Sequence, residues 1–247
     1  TDGVFNIPSG VSVISNYLFY NCSQVAKISL SNSVTNIGKY AFAGCLEVTQ
    51  FNSNVDGELN VPTSCSTIGE YAFKGFGLMT KLVVPDSTQS IEKGAFNQCD
   101  SLTDVVLPFI GSSLNKTSGN DSVLGWIFGI GIGTSAEYTT QFYNNSSDYY
   151  EIPSSLKNVT ITVQTSFGKG VFSNCKYLEN IVIPTNTKII GAYAFSGCTS
   201  LKRLNSDMDG VFNIPNGVTA INDYAFRDCS QMTKLTLSNY VTYIGAY

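Results

Sequence analysis

The nine residues from Ile37 to Cys45, IGKYAFAGC, return as IGEYAFKGF at Ile68, IEKGAFNQC at Ile91, IGAYAFSGC at Ile190 and INDYAFRDC at Ile221. A chain that rewrites one nonapeptide either builds one chemical site many times or stacks one structural rung on the next. With the Ile as first position, the sixth residue is Phe at Phe19, Phe42, Phe73, Phe96, Phe172, Phe195 and Phe226. First positions fall at Ile14, Ile37, Ile68, Ile91, Phe167, Ile190, Ile221 and Ile244, so successive intervals are 23, 31, 23, 76, 23, 31 and 23 residues. The unit is therefore 23 residues, with two insertions of eight and one long interruption.

Repeats of about 20 to 29 residues with regularly spaced aliphatics mark a leucine-rich repeat, in which each unit supplies a short strand and a return segment. The strand is expected after the ninth position, where CDSLTDVVLP (Cys99 to Pro108) and CKYLENIVIP (Cys175 to Pro184) carry alternating apolar residues. That period of two is the signature of a half-buried strand. All seven prolines follow an aliphatic residue at the end of such a segment. Lacking an N–H, proline cannot continue the ladder. These features predict an α/β-type leucine-rich repeat solenoid, strand-rich and helix-poor, with parallel strands on one face.

The eight-residue insertions are themselves repeated, because DGVFNIP at Asp2 and Asp209 and DGELNVP at Asp56 share one register. Residues 1–247 read as one solenoid, a segment of a longer array, since Thr1 starts inside a unit and Tyr247 stops short of an expected Ala-Phe. Residues 109–151 read as an insertion. In it, Val123 to Phe128 forms a degenerate rung, and the segment from Glu137 to Pro153 forms a hairpin of two aromatic strands turning at Asn145.

Six of the seven cysteines, Cys22, Cys45, Cys99, Cys175, Cys198 and Cys229, stand at position nine, where Phe76 replaces the seventh. A position that accepts Phe is a packing position. Metal sites pair their ligands a few residues apart, whereas these cysteines lie 23 or more apart and the chain has no histidine. The six are read as a structural ladder of reduced core thiols, and Cys65, in the place of Val34 and Val218, as another small buried group.

Without histidine no Ser/His/Asp or Cys/His nucleophile can be assembled. Asp104 and Glu179 read as solvated strand charges. GIGIG at Gly129 lacks both the dinucleotide spacing and a P-loop lysine. No catalytic, metal or cofactor residue is expected. Only 13% of residues are charged and the net charge is −4, which gives no basic field for nucleic acid. The longest apolar run, eleven residues from Val123 with four glycines, falls short of the roughly 20 that a membrane-spanning helix needs. The chain opens at Thr1 without a basic-plus-apolar leader, so a signal peptide is expected to be absent or already removed. Six Asn-x-Ser/Thr sequons are present, as chance would place them in a chain this rich in those residues.

Outward strand positions form a mildly polar face carrying Lys27, Lys81, Lys202, Arg203 and Lys234. Because the rungs are near copies, a specific partner needs something that does not repeat. On this reading the interruption alone supplies it, with Trp126, Tyr138, Tyr143 and Tyr149 as candidate partner-binding aromatics.

The pattern I-G-x-x-A-F-x-x-C-x-x-L-x-x-I-x-I-P, as in IGAYAFSGCTSLKRL at Ile190, resembles the BspA-like leucine-rich repeat family over nearly the whole chain outside the interruption. That resemblance implies an extracellular or cell-surface adhesion or recognition module that binds a protein or glycan, of the kind found in host-associated bacteria and some parasitic protists. The rival expectation is an architectural spacer presenting another domain. The resemblance carries no catalytic residue, and it leaves the oligomeric state open.

Overall fold

The computed structural model describes residues 4–114, 116–131, 138–141 and 149–246, with the backbone alone for 138–140. Each rung has three sides: a front strand, a two-residue rear strand, and a run of tight turns carrying positions three to nine. Front strands form one eleven-stranded parallel sheet, and rear strands form two four-stranded parallel ladders. The chain is a strand-rich, helix-poor solenoid, with two short 3-10 turns at Asn120–Ser122 and Leu124–Ile127.

The register follows the sequence period. Val4 pairs with Lys27, Lys81 with Asp104, and Asn180 with Arg203, each a step of 23 residues. The alternating residues point as expected: Val105, Leu107, Ile181 and Ile183 are buried. In the rear ladders the first-position Ile or Phe is buried in seven rungs, and Ile244 at the end is exposed. Position two is glycine in several rungs because the chain crosses its neighbour closely. A Cβ on Gly69 would lie 2.6 Å from the carbonyl carbon of Gly38.

The turn side explains the Ala-Phe pair. In five rungs the Phe N–H donates to the carbonyl of the Ala before the next ladder Phe, as in Phe42 to Ala72 at 2.9 Å, Phe73 to Ala95 at 2.8 Å and Phe195 to Ala225 at 2.8 Å. The rings stack in consequence, Phe19, Phe42, Phe73 and Phe96 at 5.2, 5.7 and 5.4 Å, and Phe172, Phe195 and Phe226 at 5.3 and 5.2 Å. Aromatic pairs of this kind add about 0.5–1.5 kcal/mol each beyond the area they bury.

The eight-residue insertion makes a strand of its own. Gln50–Phe51 pairs in parallel with Glu58–Asn60, and Leu204 pairs with Phe212. Parallel neighbours ordinarily need a crossover of about a dozen residues, yet here six suffice. Two left-handed residues close the link, Asn52 (φ 49°) and Gly57 (φ 81°). The Asn52 side chain accepts the Leu30 N–H, and Asn205 does the same for Ile183 at 2.8 Å. Front strands thus outnumber rear strands among the described residues.

Six prolines follow a front strand as expected, while Pro153 closes the antiparallel pair of Tyr138–Gln141 with Tyr150–Pro153. Gly129 to Gly131 runs beside that pair, with Gly131 N–H donating to the Tyr149 carbonyl at 3.1 Å.

The Leu124–Ile127 turn lies between the Phe96 and Phe172 rungs. Gly94 N–H donates to Trp126 O and Phe96 N–H to Ile127 O, both at 2.9 Å, while Leu124 N–H donates to Val171 O at 3.0 Å. Its register differs from the Ile-to-Phe spacing of the sequence, because Leu124 rather than Phe128 makes the sixth-position bond. Gln141, fully buried, locks the join: its Oε1 accepts from Gly125 N–H at 2.7 Å and its Nε2 donates to Gly170 O and Val171 O. One continuous apolar core runs through both halves.

Candidate binding surfaces

The five candidate cations all stand on or beside the front sheet but do not cluster. From Lys27 to Lys234 there are nine strand steps, roughly 43 Å at the usual strand spacing. Three of them are engaged by carboxylates: Lys81 with Glu58 at 3.0 Å, Lys202 with Glu179 at 2.7 Å, and Arg203 with Asp209 at 3.5 Å. Hydrogen bonding, from Ser53 and Lys81 on Glu58 and from Lys202 on Glu179, holds both carboxyls below the ordinary range. Lys27 and Lys234 make no ion pair among the described residues. Asp104 is occupied as well, accepting from Thr103 Oγ1 and Asn158 Nδ2.

Next to the charged row runs an uncharged one, three of whose five members are valine. Asn60, Val83, Val106, Thr160 and Val182 pair in register across five strands and face outward. Beside them the Asn52–Gly57 link rises over the sheet and, with Lys27, Ser29 and Asn6, bounds a concavity of about 870 Å³. Its tip, Val55, is 57% exposed, and the corresponding Met208 of the second link is 69% exposed. The two exposed tips occupy the same place in the two links, and each stands singly, as apolar side chains ordinarily do on a surface. The sequence signal for them was the repeated insertion.

The aromatics of the interruption lie elsewhere. Trp126 is half-buried, and its Nε1–H donates to the Ile91 carbonyl at 2.8 Å, against the rear ladder. Tyr150 is buried at 6.3 Å from the Trp126 ring, and Tyr149 is exposed. The Tyr138 side chain and all of Tyr143 lie outside the described residues. Trp126 and the front cations are therefore on different sides of the rung.

All seven cysteines are free, six of them buried and Cys22 half-buried. Burial pushes the thiols up, Cys45 and Cys229 to about 12 and Cys65 to about 11. The ladder thiols also do something that packing alone does not require. Cys45, Cys99, Cys198 and Cys229 donate to the carbonyl of the Phe in the preceding rung, Phe19, Phe73, Phe172 and Phe195, at 3.1–3.5 Å.

Sequence reading also missed position four. It is left-handed in the seven rungs whose fourth residue is described, held by Gly94 and Gly170 in two and by Tyr17, Tyr40, Tyr71, Tyr193 and Tyr224 in the others. Tyr17, Tyr40 and Tyr71 stack at 5.2 and 5.1 Å, and Tyr193 stacks on Tyr224 at 4.7 Å. A bulky residue with positive φ is strained, and the stacked rings offset that cost. The signal available was the exchange of Tyr with Gly at one position.

Among the described residues no group of His, Cys, Asp and Glu could hold a metal ion, and no helix is long and apolar enough to cross a membrane.

The model of the BspA type leucine-rich repeat region matches residues 4–114 and 210–247 in six copies. Among solved structures, the chain is similar to a leucine-rich repeat protein from Bacteroides ovatus, with 24% identity and a TM-score of 0.46, covering 98% of this chain and 62% of that one. It is also similar to the leucine-rich repeat protein of T. pallidum, with 22% identity and a TM-score of 0.41, covering 94% and 77%. The pneumococcal vaccine antigen PcpA matches with 18% identity and a TM-score of 0.39, covering 98% and 58%. No functionally curated protein matches the chain.

Proposed function

We propose that this chain, which belongs to the BspA type leucine-rich repeat family, is a non-catalytic recognition module that acts outside the cell or on its surface and binds a protein partner through the front sheet. The observation that carries this reading is the in-register outward row of Val83, Val106, Thr160 and Val182. Strands fixed by a continuous core present that row without ordering cost, so many weak contacts add. Lys27 and Lys234, unengaged at either end of the sheet, supply charge for orientation. The exposed Tyr149, with Tyr138, Tyr143 and the open edge of Trp126, supplies a second, non-repeating contact. Residues 1–247 act as one solenoid, and 109–151 as its inserted segment.

The other reading is an architectural spacer, and the neutralisation of Lys81 and Lys202 within the front face favours it. Surface plasmon resonance of the chain against immobilised extracellular-matrix proteins and glycans separates the two. Saturable protein binding, lost on Val106→Lys with unfolding unchanged, supports recognition. Silence across the panel supports the spacer, and binding to glycans alone contradicts the protein partner.

A further inference from the structure

The turn side carries a feature that does not repeat. Position eight reads Asn21, Gly44, Gly75 and Gln98 across the first four rungs, so two glycines sit side by side between two amides. Asn21 Oδ1 and Leu46 Cδ2 lean over those glycines, and the open notch they border has a volume of about 420 Å³, within the size range of small-ligand sites. Tyr20 and Leu46, both about half exposed, wall it, and Lys74 is the only charged group that lines it. The Tyr20 ring stands at 73° to Tyr17 and 79° to Tyr40, across the tyrosine ladder and not within it. In the second half of the chain the same positions hold Asn174, Gly197 and Asp228, with serine where Tyr20 and Ala43 stand. There the cation, Arg227, is paired with Asp228 at 3.4 Å.

We propose that this notch binds one acidic pyranose of a glycan, a uronate or a sialic acid. A pyranose has an apolar C–H face and a rim of hydroxyls. The Tyr20 ring and the Leu46 side chain, both lining the notch, offer apolar surface to that face, as ligand sites with apolar walls and few polar groups do. The primary amides of Asn21 and Gln98 each offer donors and an acceptor to hydroxyls. Lys74 lies 5.6 Å over the Tyr71 ring and has no carboxylate partner among the described residues. The sugar carboxylate completes it, which is why a neutral hexose is the poorer fit. The site is on a different side of the rung from the front sheet and stands whether or not that sheet binds a protein.

The test is calorimetry and saturation-transfer NMR on the whole chain with 3′-sialyllactose, tetragalacturonate and, as the neutral comparator, lactose. At least one acidic sugar should saturate with a Kd at or below about 1 mM, and lactose should bind at least about fivefold more weakly. Which acid binds identifies the source. Tyr20→Ala and Leu46→Glu should each weaken binding by about tenfold or more with unchanged thermal unfolding. Lys74→Gln should erase the preference for acid over lactose, and Arg227→Gln should change nothing. The proposal is overturned if neither acid saturates by about 10 mM, if binding survives both Tyr20→Ala and Leu46→Glu, or if Lys74→Gln leaves the preference intact.

Discussion

Trp126 Nε1–H donates to the Ile91 carbonyl at 2.8 Å, the bond that a backbone amide of the next rung makes elsewhere in the rear ladder. Gly38 donates to Ile14, Gly69 to Ile37 and Glu92 to Ile68, at 2.8–2.9 Å. The Ile91 N–H is met by the Ser112 carbonyl at 3.0 Å. One side chain and one turn therefore stand in for a missing rear strand. Trp126→Phe keeps the ring but orphans the carbonyl, and should lower unfolding free energy by about 1–3 kcal/mol in a urea titration. Because Trp126 is the sole tryptophan, wild-type fluorescence should follow the same transition as far-UV circular dichroism.

Gln141 joins the inserted strand pair to both flanking rungs. Gln141→Met preserves length and removes all three hydrogen bonds, leaving Gly125 N–H without its acceptor and two carbonyls without this donor. The expected loss is at least about 2 kcal/mol. Tyr149→Ala, at an exposed site on the same segment, should stay within about 0.5 kcal/mol of wild type. Equal losses from the two would mean that Gln141 is not the join.

Buried thiols give the chain an alkaline limit. Their folded pKa values are raised, to about 12 for Cys45 and Cys229 and about 11 for Cys65, from 9.0. The unfolded chain releases these protons first, so the stabilisation is complete below pH 9 and falls as pH rises from about 9 towards 12. Each such thiol adds about 1.4 kcal/mol per pH unit to that slope. Melting temperature should drop steeply above pH 9, and less steeply in Cys45→Val/Cys229→Val. A thiol titration should find seven free groups after denaturation without reductant.

The thiol hydrogen bonds separate chemistry from volume at the ladder. Cys198→Ser retains a donor for the Phe172 carbonyl and Cys198→Ala does not. If the bond matters, Ser should be the less destabilised of the two in spite of its polarity, and the reverse order would leave packing as the whole account.

The rung length, the Phe stack, the alternation in the front strands and the burial of the cysteines were all legible, because side-chain type follows burial closely at Phe73, Val105 or Cys99. What was not legible depends on backbone conformation or on distant partners. The extra front strands require left-handed Asn52 and Gly57, and hydrophobic period says nothing of φ. Tyr20 and Lys74 line one notch built from four rungs, and Trp126 reaches a carbonyl 35 residues away. Non-repeating chemistry was assigned to the interruption alone, and the turn side holds some of it too.

Hydrogen exchange measured by mass spectrometry on the chain alone and with a protein identified by surface resonance tests the recognition account most directly. It predicts protection on binding at Lys81–Val83, Asp104–Leu107, Asn158–Ile161 and Asn180–Val182, lost in Val106→Lys. Protection confined to the rear ladders or the turn side, with the front strands unchanged, would contradict it.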